Sequence, residues 1–371
     1  MNKKLLGISL AISAVLASVN ITSASEKWVN NDTIENWSGH TYENIDVTSS
    51  QEPNGNLGGG IYNGGTISKL SDNTYTGNKA GYGGGLFNNG IIESIEKEVY
   101  SNNTATSDGG AIYNFGDYEQ GENKEDIPVN AVIEAINGTF EKNTALNGGA
   151  IANGGKIGSI NGIFTENSAS TGYGGAIYND TEKAPTTQST SELDLGKISS
   201  IGGTFTKNTA KLGGGAIYNR GTIGEIKDAE FVQNTTEGSG GAIYNDDTIS
   251  SIKNSTFREN SAKAGGGAIM NSSELNISDC TFEANTAELG GAIFNNKNGN
   301  IKTLNSNFNA NKATSTGGAV FNSGNINAIG GSFANNSTTD EKGIGGAIAN
   351  KGTIDNINAK FDGNSANYGG A

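Results

Sequence analysis

Apolar residues in this chain come in runs of two to four, and the runs recur on a fixed period. The unit at residues 214–239, GGAIYNRGTIGEIKDAEFVQNTTEGS, shows the scheme. Gly214-Gly215-Ala216 leads to Ile217, Tyr218 and Asn219; Ile223 and Ile226 follow; Phe231 comes next, with Asn234 three residues on. Gly, Asn, Thr and Ser fill the spaces between. A helix would set apolar residues three and four apart over ten or more positions, and this unit does not. Short runs rich in Ile and aromatics, bounded by turn residues, predict strands. Each unit therefore predicts three short strands.

The unit is written eleven times, and a twelfth copy starts at Gly369. Gly-Gly pairs begin at 58, 83, 109, 148, 174, 214, 240, 266, 290, 317, 345 and 369. Most spacings lie between 24 and 28, and two are 39 and 40. The second run recurs from Ile67/Leu70 to Ile354/Ile357, shortened once to Leu275 and Ile277. The third run is aromatic-x-x-Asn in every complete unit, from Tyr75/Asn78 to Phe361/Asn364. A repeat of this length that closes three strands on itself is one coil of a parallel β-helix; a propeller blade needs about 40 residues and four strands. A single coil buries too little to offset the ordering of its backbone, so coils must stack. Proline would break the stacked ladder, and Pro53, Pro128 and Pro185 all lie outside the pattern. Eleven rungs at about 4.8 Å predict a rod on the order of 50 Å long.

Comparison of the copies shows which positions are restricted. The residue after Gly-Gly is Ala or Gly, the next Ile, Leu or Val, the next Tyr, Phe, Ala or Met, and the sixth always Asn. Side chains alternate faces along a strand, so the Ile and Asn positions share a face, which is placed inward. The Asn column (Asn63, Asn88, Asn114, Asn153, Asn179, Asn219, Asn245, Asn271, Asn295, Asn322 and Asn350) is then expected to stack as a structural ladder, bonding amides that would be costly if left unpaired. The fifth position faces outward on this reading. Tyr62, Phe87, Tyr113, Tyr178, Tyr218, Tyr244, Phe294 and Phe321 would form an exposed row, with Ala152, Met270 and Ala349 as gaps. An exposed aromatic row is a candidate sugar-stacking or partner-binding surface. The alternative is that these rings fill the core and the Ile residues lie outside.

The ends and inserts depart from the repeat. Residues 1–24 read as a secretory signal: Lys3 and Lys4, an apolar run from Leu5 to Val19, and small residues at Thr22-Ser23-Ala24. The run is short for a transmembrane helix. Residues 25–57, holding Trp28, Trp37 and His40, are expected to cap the open end of the stack formed by 58–371; His40 is expected at the surface. The two long units carry inserts between their first and second strands, Asp117–Asn130 and Asp180–Asp194. These are expected to leave one edge of the rod about 10 Å apart, either as binding loops or as neutral insertions.

Composition narrows the chemistry. The 371 residues carry 57 Gly and a net charge of −14, with two arginines, Arg220 and Arg258. Such a surface repels phosphate backbones and anionic lipid, so nucleic acid is not an expected partner. One cysteine, Cys280, allows no internal disulfide and reads as a small apolar residue beside Phe282. One histidine and no clustered cysteines leave a metal site without support. No cofactor, metal or catalytic residue is expected.

The Gly-Gly-Ala-Ile and Phe-x-x-Asn pair resembles the passenger repeats of bacterial autotransporters, most nearly those of the polymorphic outer membrane proteins. Gly174-Gly175-Ala176-Ile177 with Phe205-x-x-Asn208, and Gly214-Gly215-Ala216-Ile217 with Phe231-x-x-Asn234, carry the likeness. It covers residues 58–371, about 85% of the chain. The resemblance implies a right-handed, pectin-lyase-like β-helix displayed on the cell surface as an adhesin and anchored by a C-terminal outer-membrane barrel. No barrel follows in this sequence, which halts in mid-repeat at Gly369-Gly370-Ala371, so a longer natural chain is expected. The leading expectation is an exported, non-enzymatic rod that meets a protein or glycan on a host or neighbouring cell. A purely structural secreted or surface-layer rod is the alternative. A polysaccharide lyase or hydrolase is a second, for which Asp246-Asp247 is the only Asp pair on offer.

Overall fold

A computed structural model describes residues 26–50, 55–120, 126–181 and 195–371. The expected signal segment, Pro53, Pro185 and most of the second insert lie outside these residues. The chain forms a parallel β-helix of about eleven turns with about 26 residues per coil. Each coil supplies three sheets. The first has twelve strands, from Trp28–Asn30 to Ile348–Asn350; the second has fifteen, from Thr33–Ser38 to Thr353–Asp362; the third has ten, from Lys79–Ala80 to Ser337–Thr338. Pairing between coils is parallel and sets like on like. Ile217 lies between Ile177 and Ile243, and Phe231 between Phe205 and Phe257.

Glycine makes the bend into the first sheet. Gly214 adopts φ +63°, and a Cβ there would meet Ile217 O at 2.3 Å. Gly215 has no room either: its Cβ would lie 2.0 Å from Gly241 O of the next coil. The first glycine is required by conformation and the second by the close approach of two coils. The bend into the third sheet uses the residue before the Phe-x-x-Asn asparagine. That residue is left-handed even where it is not glycine, as at Lys142, Glu166, Gln233 and Ala284, with φ from 54° to 55°.

Four apolar columns fill the interior. In the unit at 214–239 they are Ile217, Ile223, Ile226 and Phe231, each fully buried. The phenylalanines form one continuous stack from Phe140 to Phe333, with neighbouring centroids 4.5–4.8 Å apart and ring planes within 9°. Ring spacing thus follows strand spacing. Each such contact contributes about 0.5–1.5 kcal/mol beyond its buried area.

Two amide ladders share the interior. Asn179 Nδ2 donates to Asn219 Oδ1 at 2.8 Å, and Asn219 Nδ2 donates to Asn245 Oδ1 at 3.0 Å. The same bond links the whole first-sheet column from Asn63 to Asn350. The Ile and Asn positions therefore do share the inward face. The second ladder belongs to Phe-x-x-Asn. Asn234 Oδ1 accepts from both N and Nδ2 of Asn208 at 3.0 Å; its Nδ2 donates to Asn260 Oδ1 at 3.0 Å and Phe205 O at 2.8 Å.

Residues 25–57 differ from the expectation of an end segment outside the repeat. Their described part is itself a coil in register. Trp28 pairs with Ile61, Asn30 with Asn63, Ile34 with Ile67, Trp37 with Leu70 and Tyr42 with Tyr75. Asn30 extends the first ladder, donating to Asn63 Oδ1 at 2.8 Å. Ile45 stands where other coils have the second asparagine, and its N–H closes that ladder on Asn78 Oδ1 at 3.0 Å. Trp28 and Trp37 stack at 3.9 Å and replace two of the three Ile columns at this end, while Ile34 continues the third. His40 is buried, not at the surface, because its position is an inward one; its ring lies 4.2 Å from that of Trp37, and burial lowers its pKa.

Candidate functional site

The outward aromatic row was expected to be exposed, and this is corrected. Tyr62, Phe87, Tyr218 and Phe321 are buried; Tyr113, Tyr178, Tyr244 and Phe294 are half-buried. All eight lie outside the central core, as strand alternation dictates. They are covered because the rings pack on one another from coil to coil. Tyr62 stacks on Phe87 at 5.5 Å and Phe87 on Tyr113 at 5.4 Å; farther along, Tyr178 stacks on Tyr218 at 5.5 Å and Phe294 on Phe321 at 5.1 Å. The rings also cover the column just before each Gly-Gly. A Cβ on Gly213 would meet Tyr244 Cδ1 at 2.5 Å, and one on Gly265 would meet Phe294 Cδ1 at 2.5 Å. The row is a second, outer layer of packing.

The layer is interrupted at Ala152. Register places Ala152 between Tyr113 and Tyr178, so this level of the row carries a methyl group in place of a ring. A cleft of about 190 Å³ opens there, with Tyr113 and Tyr178 on its walls. Of the other two non-aromatic positions, Ala349 follows the last ring of the row, and Met270 is 6% exposed and fills its own gap with a flexible side chain. Methyl-sized Ala152 cannot.

Polar groups surround the cleft. On one side, the column before Gly-Gly presents Asp108 and Asn147, joined by Asn147 Nδ2 donating to Asp108 Oδ1 at 2.9 Å. Burial raises the Asp108 pKa, and the Asn147 bonds oppose that shift. Asn147 is itself fixed, its Oδ1 accepting from Tyr173 N at 2.9 Å. On the other side, buried Asp180 accepts from the Tyr178 hydroxyl and from Arg220 Nε at 2.6 Å and Nη2 at 2.5 Å. The Asp180 carboxylate bonded to its guanidinium raises the Arg220 pKa. Hydrogen bonds to a carboxylate in this bidentate form fix the plane of the guanidinium. Arg220 comes from the coil after Asp180, 40 residues on, and only the stacking of coils brings them together.

The insert-bearing coils meet at this cleft. The first insert forms a hairpin, with Gly116–Gln120 antiparallel to Asp126–Asn130. Gly116 and Asp180, where the two inserts depart, both line the opening. Sequence reasoning identified the inserts and the gap at Ala152, but it did not connect them to Asp108, Asn147 or Arg220. The only trace was polar residues at 108 and 147, where neighbouring units carry Tyr82 and Tyr173.

The remaining ionisable groups are dispersed. Cys280 is fully buried beside Phe282, and burial pushes its thiol up to about 11. Asp246 and Asp247 are both exposed; Asp246 accepts from the Tyr218 hydroxyl at 3.3 Å. Glu98 is fully buried at an inward position, and burial pushes its carboxyl up to about 7. Its Oε1 accepts from Asn73 N at 3.1 Å and Asn73 Nδ2 at 2.7 Å. Among the described residues, no three His, Cys, Asp or Glu side chains converge as a metal site would require.

Stacked coils with inward amide ladders, a covered aromatic flank and one interrupted level define a β-solenoid. The Chlamydia polymorphic membrane protein repeat matches the chain in six places, residues 101–114, 161–180, 202–220, 228–246, 254–272 and 279–296. Each match runs from or across a Phe-x-x-Asn turn into the next Gly-Gly strand, except that the first begins just after its aromatic residue. The chain thus carries the repeats of a polymorphic-membrane-protein-type autotransporter passenger. No curated protein and no solved structure matches it.

Proposed function

We propose that the chain is an exported, cell-surface rod that acts in adhesion or surface interaction without catalysis. The observation that carries this reading is how the repeat spends its residues. The inward columns are occupied mostly by aliphatic and aromatic residues and by bonded Asn, so the recurrent positions serve folding. Variation is left to the outer flank, where the interrupted ring layer and both inserts coincide. A rigid scaffold with varied elements at one edge is the arrangement of a binding protein. The acidic surface favours a partner that is neutral or basic. Family membership of the repeats supports a location outside the cell, with the outer membrane reached through a further domain.

The test uses the full chain, fluorescently labelled, on host-type epithelial cells and on bacterial cells. Saturable binding, competed by unlabelled chain, is expected. Absence of binding to every surface would leave a structural rod. Cleavage of a polysaccharide panel, lost in D246N or D247N, would replace adhesion with catalysis.

A further inference from the structure

We propose that Glu98 and the polar groups around it form a proton-operated latch inside the rod. The neutral acid holds the coils of Trp28–Asn30 and Ile61–Asn63 closed on the coil of Glu98, and loss of its proton lets them part. The latch does not depend on what the surface binds.

The first ground is where polar groups enter the interior. The ring column runs Tyr42, Tyr75, Tyr100 and then Phe140. Beside it, His40, Asn73 and Glu98 follow one another inward, and Gly138, Gly162 and Gly203 come next. Both columns lose their polar groups at the coil of Gly138 and Phe140. Ring packing alone does not require the hydroxyls, because Phe140 and Phe164 stack at 4.7 Å much as Tyr75 and Tyr100 do at 4.4 Å. Asn73, Tyr75, Glu98 and Tyr100 are all fully buried.

The second ground is that the bonds cross from coil to coil. Asn73 is the link. Its Oδ1 accepts from His40 N at 2.8 Å, and its Nδ2 donates to Trp37 O at 3.0 Å and to Glu98 Oε1 at 2.7 Å. One side chain thus ties the N-terminal coil to a carboxyl two coils away. Glu98 Oε2 accepts from the Tyr100 hydroxyl at 3.4 Å, and the Tyr75 hydroxyl approaches the same carboxyl without an aligned bond. A proton on Oε2 therefore finds phenolic oxygens to donate to, while Oε1 keeps both bonds from Asn73. The neutral acid leaves no charge in the interior. The ionised acid leaves one, faced only by uncharged hydroxyls and amides, at a desolvation cost.

The third ground is the surroundings, which set the direction. Titratable groups facing Glu98 are Tyr75 and Tyr100, with Tyr42 one coil farther off and His40 beyond Asn73. Burial raises the pKa of the three tyrosines and lowers that of His40, so none offsets the carboxylate at neutral pH. The following coil sets Gly138 and Phe140 at this level, and Glu96 and Lys97 of the same strand lie towards solvent. Burial raises the Glu98 pKa to about 7 from a usual 4.5. Parting of the coils removes Asn73 and admits water, which returns the carboxyl to its usual value. The closed form therefore holds the extra proton. Its advantage is complete below pH 4.5 and is lost as pH rises through 7. Stacked repeats open locally, so the effect stays with these coils.

The experiment follows amide hydrogen exchange of the full chain at pH 5 and pH 8, corrected for the intrinsic effect of pH. Opening constants are taken for Trp28–Asn30 and Thr66–Ser71, with the distant Ile269–Asn271 as reference. E98Q is nearly isosteric and keeps an acceptor for Asn73. From pH 5 to pH 8, opening at the first two segments is expected to rise about 70-fold more in the wild type than in E98Q. His40 is present in both chains, so this difference belongs to Glu98. No such difference is expected at Ile269–Asn271. E98G, with the residue the next three coils use in this column, carries the test if E98Q lowers the melting temperature. A pH dependence equal in the wild type and both variants would overturn the latch. So would a difference as large at Ile269–Asn271 as at Trp28–Asn30.

Discussion

Replacing one asparagine of the Phe-x-x-Asn ladder should open its coil, and replacing it by aspartate should make that opening depend on pH. Asn234 is fully buried and makes four hydrogen bonds, two accepted from Asn208 and one each donated to Asn260 and Phe205. At a net 0.5–1.5 kcal/mol each, Asn234→Ala loses about 4 kcal/mol, before any penalty for the groups left unpaired. Asn234→Asp preserves shape and the bonds from Asn208, but sets a second oxygen against two acceptors. Only the protonated acid can donate to one of them. Its folded pKa must therefore rise above the unfolded value of about 3.9. Stability is retained below that value and falls with pH, by about 1.4 kcal/mol per unit, until the folded pKa is reached. Between pH 4 and 7 the expected loss is on the order of 4 kcal/mol. Stacked repeats open locally, so amide exchange at the coils of Asn208, Asn234 and Asn260 is the suitable measurement. Asn234→Asp with wild-type protection at pH 7 and no change down to pH 4 would refute the ladder as a directional donor–acceptor chain.

Further outcomes follow from other interior and turn positions. Glu98 has a pKa raised to about 7 by burial from a usual 4.5, so its contribution is most favourable below pH 4.5 and is lost as pH rises towards 7. E98Q, which keeps an acceptor for Asn73, should flatten thermal unfolding between pH 4 and 8 and add about 3 kcal/mol at pH 8; a parallel pH profile for variant and wild type would exclude this. Ala284 holds φ 54° without a stabilising side-chain bond, so A284G should stabilise by about 0.5–1 kcal/mol, the left-handed cost less the added entropy of glycine, measured by urea unfolding. The Cys280 thiol should resist iodoacetamide at pH 8 in the native chain and react in denaturant; mass-detected labelling of the folded protein would contradict its burial.

Much of this architecture was legible because it is local and repeated. A 26-residue period with three short apolar runs fixes the coil, and alternation along Ile217, Tyr218 and Asn219 fixes that the first and third share a face opposite the second. The N-terminal coil was hidden because Trp28, Trp37 and Tyr42 substitute for Ile, Ile and Phe, and Ile45 for Asn, so the pattern is kept in volume and lost in identity. His40 was misplaced for the same reason: without the register of that coil, its inward position could not be read.

The sequence by itself determined the β-helix and that the Ile and Asn columns share a face opposite the Tyr218 position; that this shared face is the inward one came from the structure. Only the tertiary structure decided that these outward rings are covered, that Asp180 is held by Arg220, and that the level of Ala152 opens into a cleft with Asp108 and Asn147 at its rim. The physical reason is the direction of the contacts. Periodicity reports which way a side chain points within its own strand. A ring packed on the ring of the next coil, or an ion pair 40 residues apart, is made between coils, where the lengths of the inserts and the stacking register select the neighbours.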